Sequence, residues 1–534
     1  MRLPFFSGRA RRGAGLLRAL LLTGTGLMIP CYLFTVGNVA LSPWPLYERN
    51  RLALALLTPA CLLALLLLLR TADRHEAFFA RHERRVLLGF ALFYLVVQLV
   101  MATQLRFIPV TDAEQCFTAA ELLTDTGTYG NVERPFIYFT RYPHNLGLVY
   151  LLSFVFRIGN ALGLADRFMQ AVVACSVLFT LGLLSAARLC RRLCGVRGQS
   201  RLLLLLLTCL PLLYCTSELY TDAFSLAFPT MIVYAFVRTR EAGTRGARAL
   251  WAVLFALSAF IGAQIRFTSV IAAIACLIAA LFESRIRLTA WLAAPLALVF
   301  VAGSAAVNAE NARHLGAENI EKYTLPKLHY IAMGLPVQSD EGYGQYGYGG
   351  WLVFSTSFDD PQERDAALLR EVIDRIYYLR YPSRLLNMMS RKNLSTFGDG
   401  TFRLNEIIEG DVRDPDNLVK QFVFAPGKYY PLYYHLCTAM FLAQMLLACL
   451  ACAQAIKRRQ THAAALFVAL LGIFLFLCMW ETRARYFFQF ELVLLCAGAM
   501  LETPCRGAVH LPLPMRRKAC VPGDACDGSS AQRP

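Results

Sequence analysis

Apolar runs of bilayer length recur along nearly the whole chain, and no other feature constrains its fold as tightly. A helix rises 1.5 Å per residue, so about 20 apolar residues cross a hydrocarbon core of roughly 30 Å. Candidate spans fall at residues 15–37, 52–69, 86–105, 146–163, 168–187, 202–217, 220–237, 250–265, 267–283, 288–307, 432–456, 462–480 and 486–501. The pattern predicts an all-α polytopic membrane protein of about 12–13 transmembrane helices. Only 17% of the 534 residues are charged, too few for a string of soluble domains. Most of the 17 cysteines sit inside apolar runs, as Cys61, Cys175, Cys276 and Cys478 do, and read as small apolar filler. No zinc spacing is present, and Cys190 and Cys194 have no second pair nearby.

The formal net charge is +17. Its placement in short segments between apolar runs argues for a lipid bilayer, not nucleic acid, as the partner. The positive-inside rule puts the N-terminus and residues 70–85, 188–201, 238–248, 283–287 and 457–459 in the cytoplasm. Residues 106–145 and 308–430 then lie outside, the latter with 17 of the 36 acidic residues. This divides the chain into a tail and two extra spans (1–85), a membrane core (86–307) containing the outer loop 106–145, and a mainly α extracytoplasmic loop domain (308–430). The last spans (431–501) and a cytoplasmic tail (502–534) follow. The basic N-terminus and the run from Leu16 imitate a secretory signal, but its cleavage would shift the topology of all that follows. One conflict stands. Seven segments separate two loops assigned to the same side, which requires an even number. Either a segment within 146–187 does not cross independently, or one basic loop lies outside.

The outer regions carry folding signals. Asp360, Pro361 and Glu363 spell a helix start, Leu368, Leu369, Val372, Ile373 and Ile376 recur on one helical face, and Tyr381-Pro382 ends the pattern. Residues 342–350, rich in glycine and tyrosine, follow no strand and open no helix, so they form a loop and not a phosphate cradle.

Several residues could carry chemistry. Asp112 and Glu114 follow a span directly. Thr111 with Glu114 fits a capping box that places Asp112 in the first turn of an interfacial helix; the sharper reading makes Asp112 a base facing a cavity. Arg141 and His144, among Phe136, Tyr138 and Tyr142, suit either an anion or the headgroup belt. Arg266 interrupts an apolar stretch, where a charge at a span's centre costs about 2.5–3.5 kcal/mol unless it faces a partner. It is an anion ligand, a pair to Glu218 or Asp222, or an outer-turn residue between two short spans. Arg483 and Arg485 join the last two spans on the outer side, where snorkelling and phosphate binding both explain them.

Taken together, these pieces resemble the multispan GT-C glycosyltransferases, and most closely bacterial family-39-like members related to protein O-mannosyltransferases and lipid A aminoarabinose transferases. The resemblance spans roughly residues 86–501. It rests on the acids Asp112 and Glu114 after an early span, on Tyr142-Pro143-His144-Asn145 entering the next helix, and on Gln264-Ile265-Arg266-Phe267-Thr268-Ser269 before an apolar helix. Trp480-Glu481-Thr482-Arg483-Ala484-Arg485-Tyr486, before the last span, is similar to a Trp-Glu-x-x-x-Arg-Tyr element. Residues 326–335 and 397–402 look like further segments of the bacterial branch. The chain departs from the family in separating the two acids by Ala113, in carrying Phe267 where relatives have proline, and in its two additional N-terminal spans.

The resemblance implies a polyprenyl-phosphate sugar as donor and a glycan, lipid or protein as extracytoplasmic acceptor. It implies Asp112 as base and Arg485 foremost, with Arg483 and Arg266, at the donor phosphate, supported by Arg141 and His144. Glu114 would orient the acceptor or help hold a divalent metal, Mg or Mn, although two acids alone do not define such a site. The competing readings are a transporter or lipid flippase, using Arg266, Glu218, Asp222, Gln489 and Glu491 as a path, and an assembly scaffold with 308–430 as its interaction domain.

Overall fold

The computed structural model describes residues 5–503 except 44–48, 108, 284, 339 and 407–416, with residues 5–14 as backbone only. Every regular element in the described residues is helical, and no strand occurs among them. The tail beyond residue 503 lies outside the described residues.

Among the described residues, seven helices are long and apolar enough to cross a membrane: Gly15–Leu41, Arg51–Arg74, Glu83–Gln104, Arg167–Leu206, Arg245–Ile265, Ile286–Leu315 and Tyr430–Lys457. The other apolar segments form shorter helices, among them Leu146–Ala161, Phe228–Glu241, Val270–Phe282, Ala464–Met479 and Glu491–Ala499. Several of the short ones lie in the bundle's interior; every residue of Glu491–Ala499 is buried. There, protein surrounds the chain, so broken backbone is tolerated as it would not be against lipid. Two 3₁₀ turns, Leu210–Leu213 and Cys215–Ser217, accordingly interrupt the run expected at 202–217. Ile286–Leu315 is the opposite case, with only 6% of its apolar window buried.

Contacts at the helix ends define two poles. At one, arginines pair with acids across loops: Arg191 with Glu83 (3.3 Å), Arg197 with Glu76 (2.6 Å), Arg192 with Glu241 (3.3 Å) and Arg240 with Glu283 (3.6 Å). The most buried of these pairs is Arg201 with Asp73, whose side chains are 2% and 0% exposed. At the other pole the two polar regions meet. The Leu325 amide donates to the Arg141 carbonyl (3.2 Å), and the Tyr142 and Tyr346 hydroxyls lie 2.6 Å apart.

These contacts resolve the parity conflict. Arg106, just beyond Glu83–Gln104, makes two hydrogen bonds to Asp166 (2.6 and 3.0 Å), and Arg167 makes two to Asp125 (2.5 and 3.0 Å). Helix Leu146–Ala161 thus begins and ends at the polar pole, packed along Thr111–Asp125, and does not cross independently. Arg167–Leu206 is two passes joined at the arginine pole. Cys194 and Gly195 leave helical geometry there, Gly195 with φ +71°, a conformation glycine adopts without steric cost.

In the polar domain, the Asp360 side chain caps Pro361–Leu379 by accepting from the Gln362 amide (3.0 Å), and Pro382 opens the next helix, Pro382–Phe397. The apolar face splits. Leu368 and Val372 are buried with Met333, Trp351 and Met388, whereas Leu369, Ile373 and Ile376 are exposed. The stripe is wider than the surface it packs against. Residues 342–350 form turns in which five glycines have positive φ.

Because Arg201 is sequestered with Asp73, removing the carboxylate alone strands a buried cation. Asp73→Ala should destabilise the protein by about 3–5 kcal/mol, and Asp73→Ala/Arg201→Met should recover much of that. Thermal unfolding of the purified chain in detergent measures both.

Candidate active site

Asp112 is the second residue of helix Thr111–Asp125. The capping box expected there does not form. Val110 occupies the N-cap position without a side-chain bond, and Glu114 turns to Arg134, taking two hydrogen bonds of 2.7 and 3.1 Å. Thr111 has φ +55°, unusual for a β-branched residue. The Asp112 side chain is 42% exposed and faces a cleft of about 440 Å³ whose walls include Tyr138, Arg141 and Tyr142.

Behind Asp112 lies a charged cluster drawn from distant parts of the chain. The Tyr220 hydroxyl donates to Asp112 Oδ2 (3.3 Å), and Arg485 Nη2 lies 3.9 Å from the same oxygen. Asp222, whose side chain is fully buried, sits between Arg266 (2.8 Å) and Arg485 (3.3 Å). Arg266 also donates to Thr221 Oγ1 (2.9 Å), with its guanidinium 4.4 Å from the centre of the Tyr486 ring. Glu406 is a further carboxylate, 2.7 Å from Arg403, 3.6 Å from Arg483 and 4.0 Å from Arg485. A buried charge is tolerable only when paired, and Asp222 between two guanidinium groups meets that condition.

Local breaks in the chain supply these side chains. Helix Arg245–Ile265 ends before Arg266, which is extended and leads into the turn Phe267–Ser269. Arg266 is therefore an end-of-helix residue paired to Asp222, not a mid-span charge. Gly147 lets the neighbouring turn close onto this break, because a Cβ there would lie 2.0 Å from the Gln264 carbonyl oxygen. Five non-glycine residues among those described have positive φ. Four of them, Thr111, Leu219, Phe402 and Arg403, adjoin residues of the cluster or belong to it. Strained backbone persists only where surrounding structure enforces it, and it concentrates at functional sites.

The structure thus brings Asp112, Arg266 and Arg485 together and links Arg483 to them through Glu406. Arg141 lines the cleft. The His144 ring lies edge-on to Tyr142 and Tyr330, with centroids 6.1 Å apart in each case. Glu114 pairs with Arg134, itself in the cleft wall, and not with the arginines of the cluster. Among the described residues, no three His, Cys, Asp or Glu side chains are grouped to hold a metal ion. Asp222 was legible only as one of two partners for Arg266. Tyr220, Arg403 and Glu406 carried no sequence signal, since one tyrosine in an apolar run and one acid in an acid-rich region look ordinary.

A family model described as "Conserved hypothetical integral membrane protein" matches residues 49–505. No curated protein and no solved structure matches the chain significantly.

The two ion pairs of this region should differ sharply in strength. Asp222→Asn strands two enclosed guanidinium groups and should cost about 3–5 kcal/mol, whereas Glu114→Gln opens an exposed pair worth about 0–1 kcal/mol. Unfolding midpoints of the two variants, measured side by side, test the ordering.

Proposed function

We propose that this chain, which belongs to the conserved hypothetical integral membrane protein family, is a membrane glycosyltransferase. It would transfer a sugar from a polyprenyl-phosphate donor to an acceptor hydroxyl, with inversion, on the extracytoplasmic face. The observation that carries this reading is the pairing of an accessible carboxylate, Asp112, in the wall of a cleft, with the Arg485 guanidinium 3.9 Å behind it. The arginine-rich pole is the cytoplasmic one by the positive-inside rule, which leaves the cleft on the outer side.

The chemistry asks for these two kinds of group. The acceptor oxygen attacks the anomeric carbon from the face opposite the phosphate. The new carbon–oxygen bond forms as the bond to the phosphate oxygen breaks, and that oxygen keeps the bonding electrons. Asp112 receives the hydroxyl proton. The departing lipid phosphate gains negative charge, which Arg485, Arg483 and Arg266 stabilise, with Arg141 and His144 as supporting contacts. Tyr220 and Arg485 hold the carboxylate in place before substrate arrives, so little reorganisation accompanies the reaction. The donor's tail would lie in the bilayer, with its head in the cleft.

Glu406 has a defined part in this scheme. Its carboxylate sits where Arg403, Arg483 and Arg485 converge, so an incoming phosphate competes with it for the same guanidinium groups. A transporter or flippase remains the second reading, supported by buried Glu218 and Glu491 within the bundle. Sugar transfer by the purified protein in detergent separates the two, because transport needs a sealed compartment.

Asp112→Asn should lower turnover by about 10²–10⁴-fold with donor binding near normal. Wild-type turnover by that variant would remove Asp112 as the base. Glu406→Gln should tighten binding of a polyprenyl-phosphate donor several-fold in an equilibrium binding assay. Weaker binding would mean that the carboxylate organises the arginines instead of competing for them.

A further inference from the structure

A second basic cluster lies at the opposite pole from Asp112. A cavity of about 420 Å³ opens there, within the range of roughly 300–1,000 Å³ typical of small-ligand pockets. Its walls include Arg240, Arg248, Arg285, Arg287, Thr239 and Trp291. These come from the end of Phe228–Glu241, the start of Arg245–Ile265, and the entry and first turns of Ile286–Leu315. Acidic charge falls short of basic charge. Glu283 serves both Arg240 (3.6 Å) and Arg285 (3.1 Å). Arg248 donates to the Ala242 carbonyl (2.9 Å), and among the described residues neither it nor Arg287 has a carboxylate partner. Four guanidinium groups thus surround a concave space with Glu283 as their paired carboxylate, the nearby Glu241 being engaged by Arg192 (3.3 Å). The Arg240 side chain is only 11% exposed, so the charge is built into the wall and not merely carried on a solvated loop.

We propose that this cavity binds a phosphate group, supplied by the headgroup of an anionic phospholipid. Guanidinium forks match phosphate oxygens, and basic pockets between helices at the cytoplasmic surface are suited to anionic headgroups. The lipid source follows from what lies beside the pocket. Ile286–Leu315 rises from it with most of its surface unburied, and Leu298 and Val301 are 69% and 72% exposed. The facing helix shows Leu250 and Leu257 on its own exposed side. A headgroup in the cavity thus places its acyl chains along apolar helix faces that already need lipid. Trp291 stands at this junction of charged pocket and apolar face, where tryptophan favours a membrane interface. This site is independent of Asp112 and of the transfer reaction.

The test uses the full chain in nanodiscs of phosphatidylcholine containing a minor fraction of phosphatidylglycerol, and in detergent with inorganic phosphate. Native mass spectrometry counts retained lipid, and thermal unfolding reports stabilisation. Arg285→Gln/Arg287→Gln changes two exposed residues, and Arg248→Gln serves as a second variant. The wild type should retain phosphatidylglycerol over phosphatidylcholine. The double variant should bind it roughly 25-fold more weakly, at about fivefold per basic residue. Stabilisation by inorganic phosphate alone, lost in the variants, would keep the phosphate site but overturn the lipid as its source. Equal retention of both lipids by wild type and variants, with no response to phosphate, would overturn the proposal.

Discussion

The bridge from Asp222 to Arg266 and Arg485 is the interaction on which the polar half of the bundle depends. Each partner comes from a different break in the helical pattern: the short helix Thr221–Ser225, the end of Arg245–Ile265, and the short helix Arg485–Phe488. None of the three could sit singly in an apolar interior, because an unpaired buried charge is too costly. Pairing converts three separate liabilities into one fixed point. Asp112 then lies at the open edge of that point, held by Tyr220 and facing Arg485.

The same logic of compensation organises the opposite pole differently. There most of the pairs are partly exposed and tie separate loops to one another, with Arg201–Asp73 and Arg240–Glu283 as the enclosed exceptions. Exposed pairs contribute little individually, so this pole is held chiefly by helix packing. Between the poles, burial separates the helices into two kinds. Ile286–Leu315 is long and turned to lipid, while Glu491–Ala499 is short and fully enclosed. Enclosure permits the irregular backbone that delivers charged side chains, so the charged cluster sits among the broken helices, behind a cleft lined by Thr111–Asp125 and Glu133–Arg141.

A single carboxylate next to a guanidinium group could be structural. What distinguishes the Asp112 region is graded exposure. Asp222 is sealed and fixes the arginines, Asp112 is open to the cleft, and Glu406 stands between Arg403 and Arg483 at partial exposure. Backbone strain at Thr111, Leu219, Phe402 and Arg403 falls in the same neighbourhood. Strain of that kind, about 1–3 kcal/mol per residue, persists where the fold imposes a geometry that the local sequence would not choose.

By itself the sequence determined the all-helical membrane class and the two polar regions. It also specified the capped helix at Asp360, and Asp112, Arg266 and Arg485 as residues out of keeping with their surroundings. These follow from local physics: transfer free energies act residue by residue, and a capping aspartate bonds to an amide two positions away. Only the tertiary structure decided that Leu146–Ala161 returns to its own side, that Glu114 turns to Arg134, and that Asp222 and Glu406 complete the cluster. Each of those outcomes is a contact between residues far apart in the chain. Local pattern states how badly a charge needs a partner, but only packing in three dimensions determines which partner comes within reach.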